Sequence, residues 1–154
     1  MAREIASSIP NFQASLGAGH GDRATNAYMK VLREKAARAF GEDLSEQAIC
    51  GPNSFKVDFY FRDEATVVEV ALGLPNPSSE FEKDILKAIM AQELGHAVRR
   101  LYFISRAGAR KKCEQPGRSA IRRWALEKHR LAIEVHELGG LPRKRSQRRR
   151  AGAL

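Results

Sequence analysis

"VDFYFRDEATVVEVALGLPNPSSEFEKDILKAIMAQ", residues Val57 to Gln92, decides how this chain folds. Its start alternates. Phe55, Val57, Phe59 and Phe61 fall to one side, and Lys56, Asp58, Tyr60 and Arg62 to the other. A period of two predicts a strand. "RDEA" predicts a tight turn, and "TVVEVALGL" a second strand. Val68, Val70 and Leu72 share one of its faces, and Val67, Glu69 and Ala71 the other. The two strands make a hairpin. "PNPSS" ends it, with Ser78 or Ser79 as helix cap. Phe81, Ile85, Ala88 and Ile89 then give the following helix its buried face. Glu82 and Asp84 read as acids suited to the positive helix end.

The turn centred on Asp63–Ala65 brings Asp58 and Glu69 close to opposite each other, on the face away from the apolar set. Two carboxylates held near one point repel unless a cation resolves the repulsion. Hard oxygen ligands point to magnesium. That ion can activate a water and offset the charge on a phosphate under attack. Solvent-facing charge on an edge hairpin is the other reading of the same two acids.

Outward from the hairpin, "TNAYMKVLREKAARAF" predicts a helix capped near Thr25 or Asn26, with Tyr28, Leu32, Ala36 and Phe40 as its apolar stripe and Glu34 off centre. "GEDLSEQ" turns the chain, and "AICGP" reads as a short first strand. "AVRRLYFIS" predicts a strand, "RAGARKKCEQPGRS" a basic loop, and "SAIRRWALEKHR" a helix with Ile121, Ala125 and Trp124 as packing candidates. "LAIEVHEL" fits a short strand or a helix end. Residues 1–23 form an N-terminal segment without firm periodicity, 24–140 the domain, and 141–154 a basic tail expected to be mobile. The glycines of "SLGAGHGDRAT" match no phosphate-binding pattern. The order helix, three strands, helix, strand, helix predicts an α/β fold, a mixed central sheet flanked by helices.

The chain of 154 residues suits one domain with a modest core. Its net charge of +9 favours an anionic partner, most simply nucleic acid. The charge divides: residues 1–98 carry 10 Lys and Arg against 14 Asp and Glu, and residues 99–154 carry 17 against 4. Cys50 and Cys113 form no CxxC, which argues against thiolate zinc and a disulfide scaffold. "MAREIASSIPNF" has no apolar signal segment, and no stretch is long enough to span a membrane, so a cytoplasmic location is the default expectation.

Asp58, Glu69 and the surrounding element order resemble the core of the PD-(D/E)XK, or restriction-endonuclease-like, nuclease superfamily. The resemblance spans roughly residues 24–138 and rests on context more than on letters. It implies a magnesium-dependent endonuclease that hydrolyses phosphodiester bonds, with double-stranded or branched DNA as the expected substrate. It also implies roles. Asp58 and Glu69 ligate Mg2+ together with the Val70 carbonyl, and Glu34 orients a water or a second ion. The pattern's lysine is missing, since Ala71 stands two residues after Glu69. Some members of the superfamily take it from the next helix, which makes Lys87 and Lys83 candidates, with Lys87 preferred. Lys56 is a third candidate. A nuclease-like fold without catalysis, binding nucleic acid, is the alternative function.

"AQELGH" at 91–96 resembles the H-E-x-x-H zinc-protease pattern but has Gln92 in the first histidine position. Gly95 reads instead as a helix end. Downstream, Arg99, Arg106, Arg110, Lys111, Lys112, Arg118, Arg122 and Arg123 form a basic strand–loop–helix unit suited to backbone phosphates. A solubilising face is the competing reading. A chain this small has little room for a separate recognition domain, so a homodimer or a larger partner is expected.

Overall fold

The computed structural model describes residues 1–9, 12, 23–76 and 78–139. Helices α1 (Ala2–Ser8) and α2 (Arg23–Phe40) precede strands β1 (Ser45–Gln47), β2 (Val57–Phe61) and β3 (Thr66–Val70). Helix α3 (Glu80–Glu93), strand β4 (Arg100–Ser105), helices α4 (Ala109–Cys113) and α5 (Pro116–His129), and strand β5 (Ala132–Glu137) complete the order. The five strands form one mixed sheet in chain order, antiparallel from β1 to β3 and parallel from β3 to β5. Parallel neighbours need a crossover, which is why α3 and then α4 with α5 lie between the later strands.

Both sheet faces are covered. Ile5 of α1, and Tyr28, Leu32 and Ala36 of α2, pack on Phe59, Leu72, Val68 and Val70. Phe81, Ile85 and Ala88 of α3, with Cys113 and Ala125, pack on Val67, Leu101, Phe103, Ile133 and Val135. Phe81 is fully buried and stacks on Phe103 at 5.4 Å. Burying a side chain of this kind contributes about 1.5–3 kcal/mol. The face that carries Asp58 and Glu69, expected to be polar, is therefore a core face: Glu69 is 2% exposed and lies among Val67, Tyr60 and Ala71. The reason is the following helix, whose apolar stripe closes over it.

Several elements differ from expectation. The first strand is Ser45–Gln47, not Ala48–Pro52. Ile49 and Cys50 are buried, but Gly51 has φ 98° and the Asn53 side chain donates to Cys50 O, so the chain turns away from the sheet there. α2 begins at Arg23, which puts Thr25 and Asn26 inside its first turn. Phe40 is 52% exposed and meets the Phe61 ring edge-on. Val57 packs in the α3-side layer, apart from Phe59. Helix α1 lies where no periodicity was firm, and α4 lies inside the basic loop. "LAIEVHEL" resolves as strand β5, and Trp124 is exposed rather than packed. The glycine-rich loop and the 141–154 tail fall outside the described residues, apart from Arg23–Thr25. Among the described residues, no helix is long and apolar enough to cross a membrane.

Candidate active site

The hairpin register pairs Phe59 with Val68, Tyr60 with Val67 and Phe61 with Thr66. One step further, Asp58 stands opposite Glu69. There the main-chain ladder gives way to side chains. The Val70 N–H donates to Asp58 Oδ2 at 2.7 Å, and the Asp58 N–H to Glu69 Oε2 at 3.4 Å. Each carboxylate thus satisfies a backbone donor of the opposite strand, which locks both acids at the open end of the hairpin. That convergence is the one the alternation predicted.

Helix α3 supplies the cation. Lys87 Nζ lies 2.8 Å from Glu69 Oε1 and 2.9 Å from Asp84 Oδ1, and it donates to the Lys56 carbonyl at 2.9 Å. Ala71, the position where the motif would carry its lysine, is buried beneath α3. The ammonium beside Glu69 comes instead from α3. Lys83 is exposed and makes no contact with either hairpin acid, so reach separates the two helix candidates. Lys56 contributes its carbonyl, not its side chain, to this cluster.

Asp84 is the residue that sequence reasoning missed. It is 4% exposed and belongs to the cluster, although in the sequence it reads as an end-of-helix acid. The signal was present, because Phe81, Asp84, Ile85 and Ala88 are spaced i, i+3, i+4 and i+7 along one helical face. An acid on an apolar stripe needs a partner. Glu80, half-buried in the first turn of α3, accepts from the Gly73 N–H at 3.2 Å and ties the β3–α3 connection to the site.

Burial first, then the charges of Asp84 and Asp58, push the Glu69 carboxyl from its ordinary value of 4.5 to about 9, although Lys87 opposes the shift. Burial also raises Asp58, Asp84 and Glu80. Burial alone would lower the Lys87 ammonium, but Glu69 and Asp84 hold it above its ordinary range. A carboxyl whose pKa is higher folded than unfolded binds its proton more tightly in the native state, so its contribution to stability falls as pH rises. Metal-free protein is therefore expected to lose stability between pH 4.5 and about 9, the window set by Glu69. Lys87 stays charged throughout this window and adds no slope. Thermal melts in chelator across this range, with Glu69→Gln alongside, check the point. An identical slope in the variant would remove Glu69 as its source.

The acids open onto a cleft of about 940 Å³ between α2, the chain before β2 and the start of α3. Glu34 of α2 lines it, exposed, as do Lys30, Lys56 and Lys83. Arg33 also lines it, paired with Glu46. None of the eight downstream basic residues does. Arg118 is 9% exposed, donates to Leu74 O at 2.7 Å and covers the Phe81 ring, so its guanidinium is committed to the fold. Arg122 donates to Ile133 O, Arg110 to Val135 O and Arg106 to Phe12 O. Arg99, Lys111 and Arg123 are exposed, and Lys112 is half-buried. The cations facing the carboxylates are thus the cleft lysines and Arg33, of which Lys56 and Lys83 are sequence candidates and Lys30 and Arg33 are not.

In the "QELGH" stretch, the Gly95 N–H bonds to Gln92 O and the His96 N–H to Ala91 O. This is the Schellman helix end expected at a glycine with φ 84°. Gln92 donates to Val98 O and His129 O, a structural role.

Comparison of the chain with family models, with characterised proteins and with solved structures finds no match. Among the described residues, no three His, Cys, Asp or Glu side chains are placed to hold a metal by themselves. The oxygen ligands on offer at the cleft base are the carboxylates of Asp58 and Glu69, and Val70 lines the same cleft. Glu69 Oε1 is fully buried and accepts no hydrogen bond; its close partner is the Lys87 charge. Such a set fits a hard cation that keeps part of its water shell, as magnesium does.

Proposed function

We propose that the chain is a magnesium-dependent nuclease of restriction-endonuclease-like fold, hydrolysing phosphodiester bonds in DNA. The observation that carries this reading is the meeting of Asp58, Glu69 and the Lys87 ammonium at the base of one open cleft. Asp58 and Glu69, with the Val70 carbonyl, would hold the ion. A bound magnesium supplies Lewis-acid stabilisation of phosphate charge and makes a water more acidic. Lys87 stays protonated and donates hydrogen bonds to the attacking water or to a phosphate oxygen, which offsets charge that builds up during attack. Glu34, on the opposite wall, orients water at the cleft mouth. Lys30, Lys56 and Lys83 hold the flanking phosphates. The water oxygen bonds to phosphorus, one P–O ester bond breaks, and a proton reaches the leaving oxygen.

A nucleic-acid-binding protein without catalysis is the second reading. It is favoured by Arg99, Lys111 and Arg123, which are exposed and lie away from the cleft. Incubation of the protein with single-stranded, duplex and branched DNA and with RNA, in magnesium or in chelator, separates the two. Cleavage of DNA that chelator stops is the expected result. Salt-sensitive binding with no cleavage of any substrate supports the second reading and overturns the first.

A further inference from the structure

A lysine ammonium has three protons to donate. The fold offers Lys87 three oxygens: Glu69 Oε1 at 2.8 Å, Asp84 Oδ1 at 2.9 Å and Lys56 O at 2.9 Å. These partners are unequal. Lys56 O accepts a well-directed hydrogen bond. The Glu69 and Asp84 carboxyls both meet the ammonium at ion-pair distance, Glu69 Oε1 slightly the nearer. Glu69 belongs to the sheet, whereas Asp84 lies three residues before Lys87 on the same helix and moves with it. Asp84 is also buried, at 4% exposure, among Phe81, Ile85 and Ala88, a costly place for an acid with no task.

We infer that Asp84 is a positioning residue: it retains the Lys87 ammonium in the cleft when a divalent cation takes Glu69 from it. The inference rests on the nuclease reading for the cation at Asp58 and Glu69. A cation shared by Asp58 and Glu69 would lie against Glu69 Oε2, the oxygen that faces Asp58, and would repel the ammonium at Oε1. With Asp84 present, Lys87 gives up Glu69 and keeps one carboxylate and one carbonyl. One ammonium proton is then free to point into the cleft. Without Asp84, Lys87 keeps Glu69 as its sole carboxylate and competes with the cation for it.

The decisive measurement is a double-mutant cycle on cation affinity, read by calorimetry with Mg2+ and Mn2+ on folded protein. Asp84→Asn is expected to weaken affinity by about 10–100-fold, the usual scale for a group that supports a metal site from behind. In a Lys87→Met background the same change is expected to cost less than about threefold, because nothing is left to compete for Glu69. A merely electrostatic or structural role for Asp84 predicts equal losses in both backgrounds, and that result would overturn the inference. Circular dichroism verifies folding. Should Asp84→Asn fail to fold, Asp84→Glu keeps the charge and displaces it by one methylene. It is expected to show a smaller loss that again disappears with Lys87→Met. The cycle does not depend on cleavage. Coupling without any cleavage sinks the nuclease reading and leaves Asp84 in place. Magnesium-dependent cleavage with no coupling does the reverse, and no binding of either cation sinks both.

Discussion

Asp58→Ala is expected to lower phosphodiester cleavage by at least about a thousandfold. The change removes one of the two carboxylates at the open end of the β2–β3 hairpin, which the proposed function assigns to the metal. A bound divalent cation provides several kcal/mol of transition-state stabilisation, and about 4 kcal/mol corresponds to a factor of a thousand in rate. The variant also leaves the Val70 N–H without its 2.7 Å acceptor, so a loss of stability of about 1–2 kcal/mol accompanies it. Asp58→Asn separates these effects. Its amide oxygen still accepts from Val70, while the negative charge is gone. Cleavage rates of both variants, normalised to the folded fraction, should fall together. Full activity in Asp58→Asn would mean that the aspartate works only as a hairpin clamp, and cleavage that survives Asp58→Ala would remove this site from the reaction.

Lys87→Met is expected to lower stability by about 3 kcal/mol in metal-free protein, the cost of taking one partner from a buried ion network. For a domain of this size that corresponds to a fall in melting temperature of about 6–12 °C. The side chain is 6% exposed, and its ammonium is the cation in contact with both Glu69 and Asp84. Once it is gone, three acids that burial already raises keep only the more distant charges of Arg33 and Lys83 against them. Magnesium should then restore part of the loss by mass action, because the freed carboxylates take it up. Melts of wild type and variant with and without magnesium test this. A variant that melts like wild type in chelator would show that the ion network adds nothing to the fold, and a variant blind to magnesium would show that the carboxylates do not bind it.

Much of the site was legible before any coordinates. Alternation in "FKVDFYF" and "TVVEVALGL", with a four-residue turn between them, was enough to bring Asp58 and Glu69 together, because hairpin register follows from turn length. Gly95 was legible as a helix end for an equally local reason: glycine tolerates the left-handed φ that such an end adopts. Asp84 was not, although it shares its stripe with Phe81 and Ala88. An acid in the first turns of a helix has a sufficient local explanation in the helix dipole, and that explanation hid its burial.

In the basic stretch the structure departs most from the sequence pattern. Charge along a chain says nothing about which way a guanidinium points. Arg118 turned inward to Leu74 O, while Lys30 and Lys56, isolated in the sequence, came to line the cleft. The sequence by itself determined the order of the elements around the hairpin, the pairing of Asp58 with Glu69, and a choice of lysines on the next helix. These depend on periodicity and short-range spacing, which one strand, one turn or one helix enforces alone. The tertiary structure decided that the acid-bearing face is buried, that Lys87 and not Lys83 reaches Glu69, and that Asp84 joins them. Those outcomes depend on how α3 lies across the sheet, and a layer's placement comes from the packing of the whole core, not from any one segment of it.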